Sequence, residues 1–149
     1  MKQKTSILIK LYRIYHWFYI HKMKFLANVS YRITLLLFGC SIPPSCILEE
    51  GVDFGHPIGI VIHQNAKIGQ NTVIYQNVTI GRKNRDNQEC PEVGKNCLIG
   101  AGACLLGNIR IGDNVKIGAN AVIITDIPAG STVFGNPAQI IKSKITKDL

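Results

Sequence analysis

The sequence predicts a mainly β protein, a parallel β-helix preceded by a short α-helical segment, and three observations carry that reading. Aliphatic residues return every six positions at Val93, Ile99, Leu105, Ile111, Ile117 and Ile123, and four of the six are followed by glycine. A helix asks for a spacing of three to four and a half-buried strand for a spacing of two, so this period fits neither as one element. It fits a short strand, a turn and another short strand, repeated so that each return adds a side chain to an internal ladder, which is the mark of a solenoid. Asn65, Asn71, Asn77, Asn96, Asn114 and Asn120 fall where such coils must turn, and asparagine accepts left-handed backbone better than most residues. Aromatic residues make up only 7% of the chain while Gly, Ile and Val are plentiful, as a core of stacked aliphatic side chains requires.

Taken in order, the chain divides into a basic helical segment (1–40), a solenoid (41–138) and a polar tail (139–149), within the size of one domain. Ile7, Leu8, Leu11, Ile14, Tyr15 and Phe18, then Phe25, Leu26, Val29, Ile33, Leu36 and Leu37, recur at helical spacing, which predicts two helices broken near 21–24. Residues 1–39 hold seven Lys/Arg and no acid, so nearly all of the +8 net charge belongs to them. Such a segment caps the first coil, or, alone or in addition, rests a basic amphipathic face on an anionic membrane at the inner surface of a cell. Its apolar runs are too short to span a bilayer. With basic residues interleaved among bulky aliphatics and no binding motif, nucleic acid is not the expected partner.

Ser41 opens the solenoid and Pro43–Pro44 stiffens the entry. The ladder runs Ile42, Leu48, Phe54, Ile60, shifts by two, and resumes at Ile62, Ile68, Ile74 and Ile80. The polar stretch 82–91 suspends the period and is expected to protrude as a loop. The long ladder follows to Ile123, then Ile127–Ser131 and Val133–Ala138.

Few reactive groups stand out. The five cysteines are an odd number without a CxxC pair, which gives neither a metal-ligand spacing nor a complete disulfide framework, and free thiols in a reducing cytoplasm are expected. His56, in Gly55-His56-Pro57-Ile58-Gly59-Ile60, and His63, after Ile60-Val61-Ile62, are by spacing alone turn or cap residues as readily as catalysts. Cys90 is the only thiol on the loop, with no base in evidence beside it.

Residues 41–138 resemble the hexapeptide-repeat acyltransferases, near the serine O-acetyltransferase branch and nearer still to its relatives in capsule, lipopolysaccharide and colanic-acid gene clusters. The matching blocks are Ile42-Pro43-Pro44-Ser45, Gly55–Ile62, Val78-Thr79-Ile80-Gly81, Cys90–Gly94, Ile99–Ala103 and Gly135-Asn136-Pro137-Ala138. The resemblance implies a left-handed coil, a homotrimer with sites between subunits, and acetyl-CoA as donor, with no metal. By position His56 matches the general base. Gly100, Ala101 and Ala119 match small residues that lie against CoA, and Lys142 is placed to meet its phosphates. A histidine in reach of an acceptor hydroxyl can take its proton as the oxygen attacks the thioester.

The departures bear on the acceptor. The aspartate that helps orient the histidine is Ser41 here, the serine-contacting aspartate is Gly55, and a loop Arg-His pair is Glu89-Cys90. A glutamate in place of a carboxylate-binding arginine would repel serine's carboxylate. These positions predict a cytoplasmic O-acetyltransferase acting on a surface-polysaccharide sugar, lipid- or nucleotide-linked, with Ser41, Glu89 and Cys90 around the acceptor. Serine O-acetylation in cysteine biosynthesis and a catalytically silent trimeric scaffold are the other two readings.

Overall fold

A computed structural model describes residues 6–84, 86 and 88–141. Two helices, α1 (Ile7–Ile20) and α2 (Lys24–Phe38), lead into a coil of short strands whose three walls are mostly parallel sheets. The first wall stacks β1 (Ile47–Leu48), β4 (Lys67–Ile68), β7 (Glu92–Val93) and β10 (Arg110–Ile111). The second stacks β2 (Asp53–Phe54), β5 (Val73–Ile74), β8 (Leu98–Ile99), β11 (Lys116–Ile117) and β13 (Thr132–Phe134), and β14 (Gln139–Ile141) returns antiparallel on its edge. The third holds β3 (Val61–Ile62), β6 (Thr79–Gly81), β9 (Cys104–Leu106) and β12 (Val122–Ile123).

Within most strands one residue faces the core and its neighbour faces out, the ordinary alternation of a pleated strand. The inward column of the second wall is Phe54, Ile74, Ile99, Ile117 and Val133, and that of the third is Ile62, Ile80, Leu105 and Ile123, all buried. The six-residue ladder of the sequence is thus a walk from wall to wall, one rung per wall. Burying each such side chain contributes about 1.5–3 kcal/mol.

Corners close the coil. Asn71, Asn96 and Asn114 turn from the first wall to the second, and Asn77 and Asn120 from the second to the third, each with φ between 54° and 59°. Asn65 behaves differently: it lies at the third corner, outside the left-handed set, and its Nδ2 donates to the Gln88 carbonyl at 3.2 Å. Both irregularities of the period sit at corners, the two-residue shift between β2 and β3 and the 82–91 insertion between β6 and β7. Neither disturbs the register: across the shift Asp53 pairs with Val73, and across the loop Val73 pairs with Leu98 and Thr79 with Cys104.

The two helices fall where the periodicity placed them. Ser6 caps α1 by accepting from the Ile9 N–H, and the Asp53 carboxylate of β2 accepts from the Ser6 N–H at 3.1 Å. Leu8, Ile9, Tyr12 and Tyr15 bury one face of α1 on the first coil. The Tyr12 and Tyr15 hydroxyls donate to the carbonyls of Cys46 and Ile42, and Arg13 donates to those of Leu48 and Glu49. The open end of the solenoid is therefore covered by α1, its exposed carbonyls satisfied by side chains. The second helix packs on α1 through a face centred on Ala27 and Thr34 and ends at Gly39 in the left-handed region.

Candidate functional site

The corner from the second wall to the third gathers the candidate residues. In register with Phe54, Ile74, Ile99 and Ile117, the residues two places further on are His56, Gln76, Ala101 and Ala119, one per coil along one edge. Parallel strands lie about 4.8 Å apart, so Ala101 is two steps, about 10 Å, from His56 and Ala119 about 14 Å.

His56 is exposed, and the corner around it is tied down by the backbone: Gly55 N–H donates to the Ile74 carbonyl at 3.0 Å and Ile58 N–H to the His56 carbonyl at 2.9 Å. Its ring lies beside Tyr75, 6.2 Å between centroids. Among the described residues neither ring nitrogen of His56 has a hydrogen-bond partner. Gly55 is explained by the same neighbour, because a Cβ there would stand 2.9 Å from Cε1 of Tyr75. A side chain at 55 would have to displace the ring that flanks His56.

Gln76, between His56 and Ala101, was not singled out by the sequence. Its Oε1 is shut off from solvent and has no partner among the described residues, a costly arrangement in a folded protein. The signal was hidden because the coil containing it is offset by the two-residue shift on one side and the loop on the other. Ala101 is half-buried and Ala119 exposed, with the Asn120 N–H donating to the Ala101 carbonyl at 2.8 Å. Gly100 has no room for a side chain: its Cβ would lie 2.6 Å from the Ala119 nitrogen. The small residues thus keep this edge as bare backbone.

The other predicted positions are elsewhere. Ser41 bridges to Val61 in the third wall, and its Oγ shares a 2.9 Å hydrogen bond with the Tyr31 hydroxyl of α2. With Pro43, His63, Gln64, Arg82 and Gln88 it borders a groove of about 540 Å³, which His56 does not line. His63 is half-buried there, its Nδ1 accepting from the Asn65 N–H at 3.3 Å, and burial first and the Arg82 guanidinium second hold its pKa below the usual imidazole range. Glu89 is exposed on the loop. Cys90 departs from expectation. It is buried in the hydrophobic core where the loop re-enters β7, and burial pushes its thiol pKa up, so it faces aliphatic side chains instead of an acceptor. Lys142 lies outside the described residues. Among the described residues no three His, Cys, Asp or Glu side chains come together in metal-ligand range.

Comparison with known proteins sets this geometry in a family context. Residues 91–125 match the bacterial transferase hexapeptide family (six repeats). The serine acetyltransferase of Synechococcus elongatus is 37% identical over 131 residues, 87% of this chain and 54% of that protein. A crystal structure of Neisseria gonorrhoeae serine acetyltransferase in complex with serine superposes with a TM-score of 0.85 at 36% identity, covering 91% of this chain and 55% of the other. A serine acetyltransferase in complex with CoA gives 0.84 at 35%, covering 90% and 55%. The chain thus spans about half the length of the relatives it matches. These findings overturn the expectation of a polysaccharide sugar as acceptor and of kinship with capsule or lipopolysaccharide enzymes in particular. That expectation rested on Ser41, Gly55 and Glu89-Cys90. The structure gives three of these local explanations: Tyr31 engages Ser41, Tyr75 crowds position 55, and Cys90 is core.

Proposed function

We propose that this chain, whose wall carries bacterial-transferase hexapeptide repeats, is a left-handed β-helix O-acetyltransferase that moves the acetyl group of acetyl-CoA to the hydroxyl of serine. The observation that carries the reading is the single edge holding His56, Gln76, Ala101 and Ala119. An exposed imidazole at one end can receive a proton, and beyond Gln76 the edge carries only the small residues Ala101 and Ala119, the latter about 14 Å from His56. Similarity to a serine-bound and a CoA-bound serine acetyltransferase supports both substrates.

In this mechanism a ring nitrogen of His56 takes the hydroxyl proton as the oxygen attacks the thioester carbonyl. The tetrahedral intermediate collapses, the C–S bond breaks, and the imidazolium returns its proton to the departing CoA sulfur. Ala101 and Ala119, with Gly100 between coils, let the donor lie against the main chain. The imidazole has no partner within the described residues, and in this reading its orientation is assigned to a neighbouring subunit or to the acceptor. The outer faces of the walls support a trimer arranged around this edge. The first wall is the charged one, with Lys67 Nζ 2.8 Å from Glu92 Oε1 and Arg110 Nε 4.0 Å from Glu92 Oε2. The outward residues of the other two are mostly uncharged, Val73 and Leu98 on one side and Val61, Thr79, Cys104 and Val122 on the other. The helices α1 and α2 serve as the cap and residues 41–138 as the acetyltransferase wall; Gln139–Ile141, expected in a tail, instead form β14 on the edge of that wall.

The test is release of CoA thiol from acetyl-CoA with serine as acceptor. His56→Ala is expected to lose about 10²–10⁴-fold in turnover while calorimetric CoA binding persists. No serine-dependent turnover by the native chain would overturn the acceptor, and undiminished turnover in the variant would overturn the base.

A further inference from the structure

We infer that the outer face of α2 is a docking surface for an anionic lipid bilayer. α2 packs mainly on α1, with Ala27 and Thr34 its buried residues, and reaches the solenoid through the Tyr31–Ser41 hydrogen bond. A surface helix ordinarily turns polar residues to the side opposite its packed face. This one does the reverse. Phe25, Leu26, Val29, Ile33, Leu36 and Leu37 fall within about a third of the helix circumference; Phe25, Val29 and Leu36 lie opposite Ala27 and Thr34, Ile33 and Leu37 border a groove with Leu11 and Ile14 of α1, and all six are exposed, Phe25 at 79% and Leu36 at 84%. So large an exposed apolar stripe marks a site of contact.

Charge decides between the occupants. Lys24 and Arg32 lie along one side of the stripe and are exposed, as are Lys10 on α1 and Lys22 in the turn between the helices, and no acid occurs in residues 1–39. A second copy seated face to face would bring two basic collars together, and like charges repel. An anionic headgroup layer satisfies the cations while the hydrocarbon boundary accepts the aliphatic side chains. Trp17 and Tyr19, 49% and 37% exposed on α1, are of the type that suits the boundary between water and hydrocarbon. Among the described residues no helix is long and apolar enough to cross a membrane, so α2 lies in the plane of the surface.

The experiment is vesicle flotation of the full chain. Binding is expected to vesicles containing one-third phosphatidylglycerol in phosphatidylcholine, to fall in high salt, and to be absent on phosphatidylcholine alone. Lys24→Gln with Arg32→Gln should cut partitioning about 25-fold, at about fivefold for each charge near the surface. Phe25→Glu with Leu36→Glu should abolish it without lowering the melting temperature, because both side chains are outside the packed face. Equal partitioning to charged and neutral vesicles would overturn the proposal, as would no flotation at all. So would sedimentation showing that the Phe25/Leu36 variant merely splits a larger assembly, which would make a second copy the occupant.

Discussion

At the scale of single residues, the groups that matter are those whose chemistry is not already used by the fold. Gln76 is the clearest case: its buried carboxamide oxygen has no partner among the described residues, and such a group costs stability. Gln76→Leu is therefore expected to leave the melting temperature level or raised while lowering acetyl transfer. A lowered melting temperature with full turnover would make Gln76 a structural residue only. His63 bears on pH. Its folded pKa lies below the ordinary value, so as pH falls the unfolded chain takes up the proton first and the folded state loses stability through the window beneath the unfolded pKa. His63→Gln should flatten that part of the melting-temperature profile between about pH 7 and 5, and an unchanged slope would count against the assignment. Cys90, with its raised thiol pKa, should react with a disulfide reagent far more slowly than a surface cysteine.

At the scale of elements, the coil tolerates little at its tightest approach. Gly100→Ala forces a methyl against the Ala119 nitrogen of the next coil and is expected to cost about 1–3 kcal/mol, read as a lowered denaturant midpoint. At the left-handed corner, Asn77→Gly should be tolerated while Asn77→Ala costs about 1 kcal/mol or more; equal midpoints would sink that account. The ladder and five of the six corner asparagines were legible because periodicity and φ preference are local properties that a sequence displays directly. The helices were legible for the same reason. The edge shared by His56, Gln76, Ala101 and Ala119 was legible only in part, since its spacings are unequal and register emerges only from strand pairing. Cys90 was misread because the end of an insertion is set by where the core resumes. The acceptor was misread because Ser41 and Gly55 answer to Tyr31 and Tyr75, neighbours that are distant in sequence or one coil away.

At the scale of the whole molecule, the three walls are not equivalent. The proposed trimer should be broken by a new charge on either of the two less charged walls: Leu98→Asp or Val122→Asp is expected to sediment as a smaller species, whereas Ile47→Asp on the most charged wall should not. Dissociation by Ile47→Asp alone would mean that the wrong faces have been matched. The edge itself has a consequence for how the protein can change. Insertions are absorbed at corners: the two-residue shift leaves Asp53 paired with Val73, and the 82–91 loop leaves Val73 paired with Leu98 and Thr79 with Cys104. The interval between His56 and the alanines is therefore graduated in strand spacings of about 4.8 Å and is indifferent to small gains or losses of sequence. A chain built this way can rewrite its acceptor side residue by residue, yet can lengthen or shorten its reach only by a whole coil.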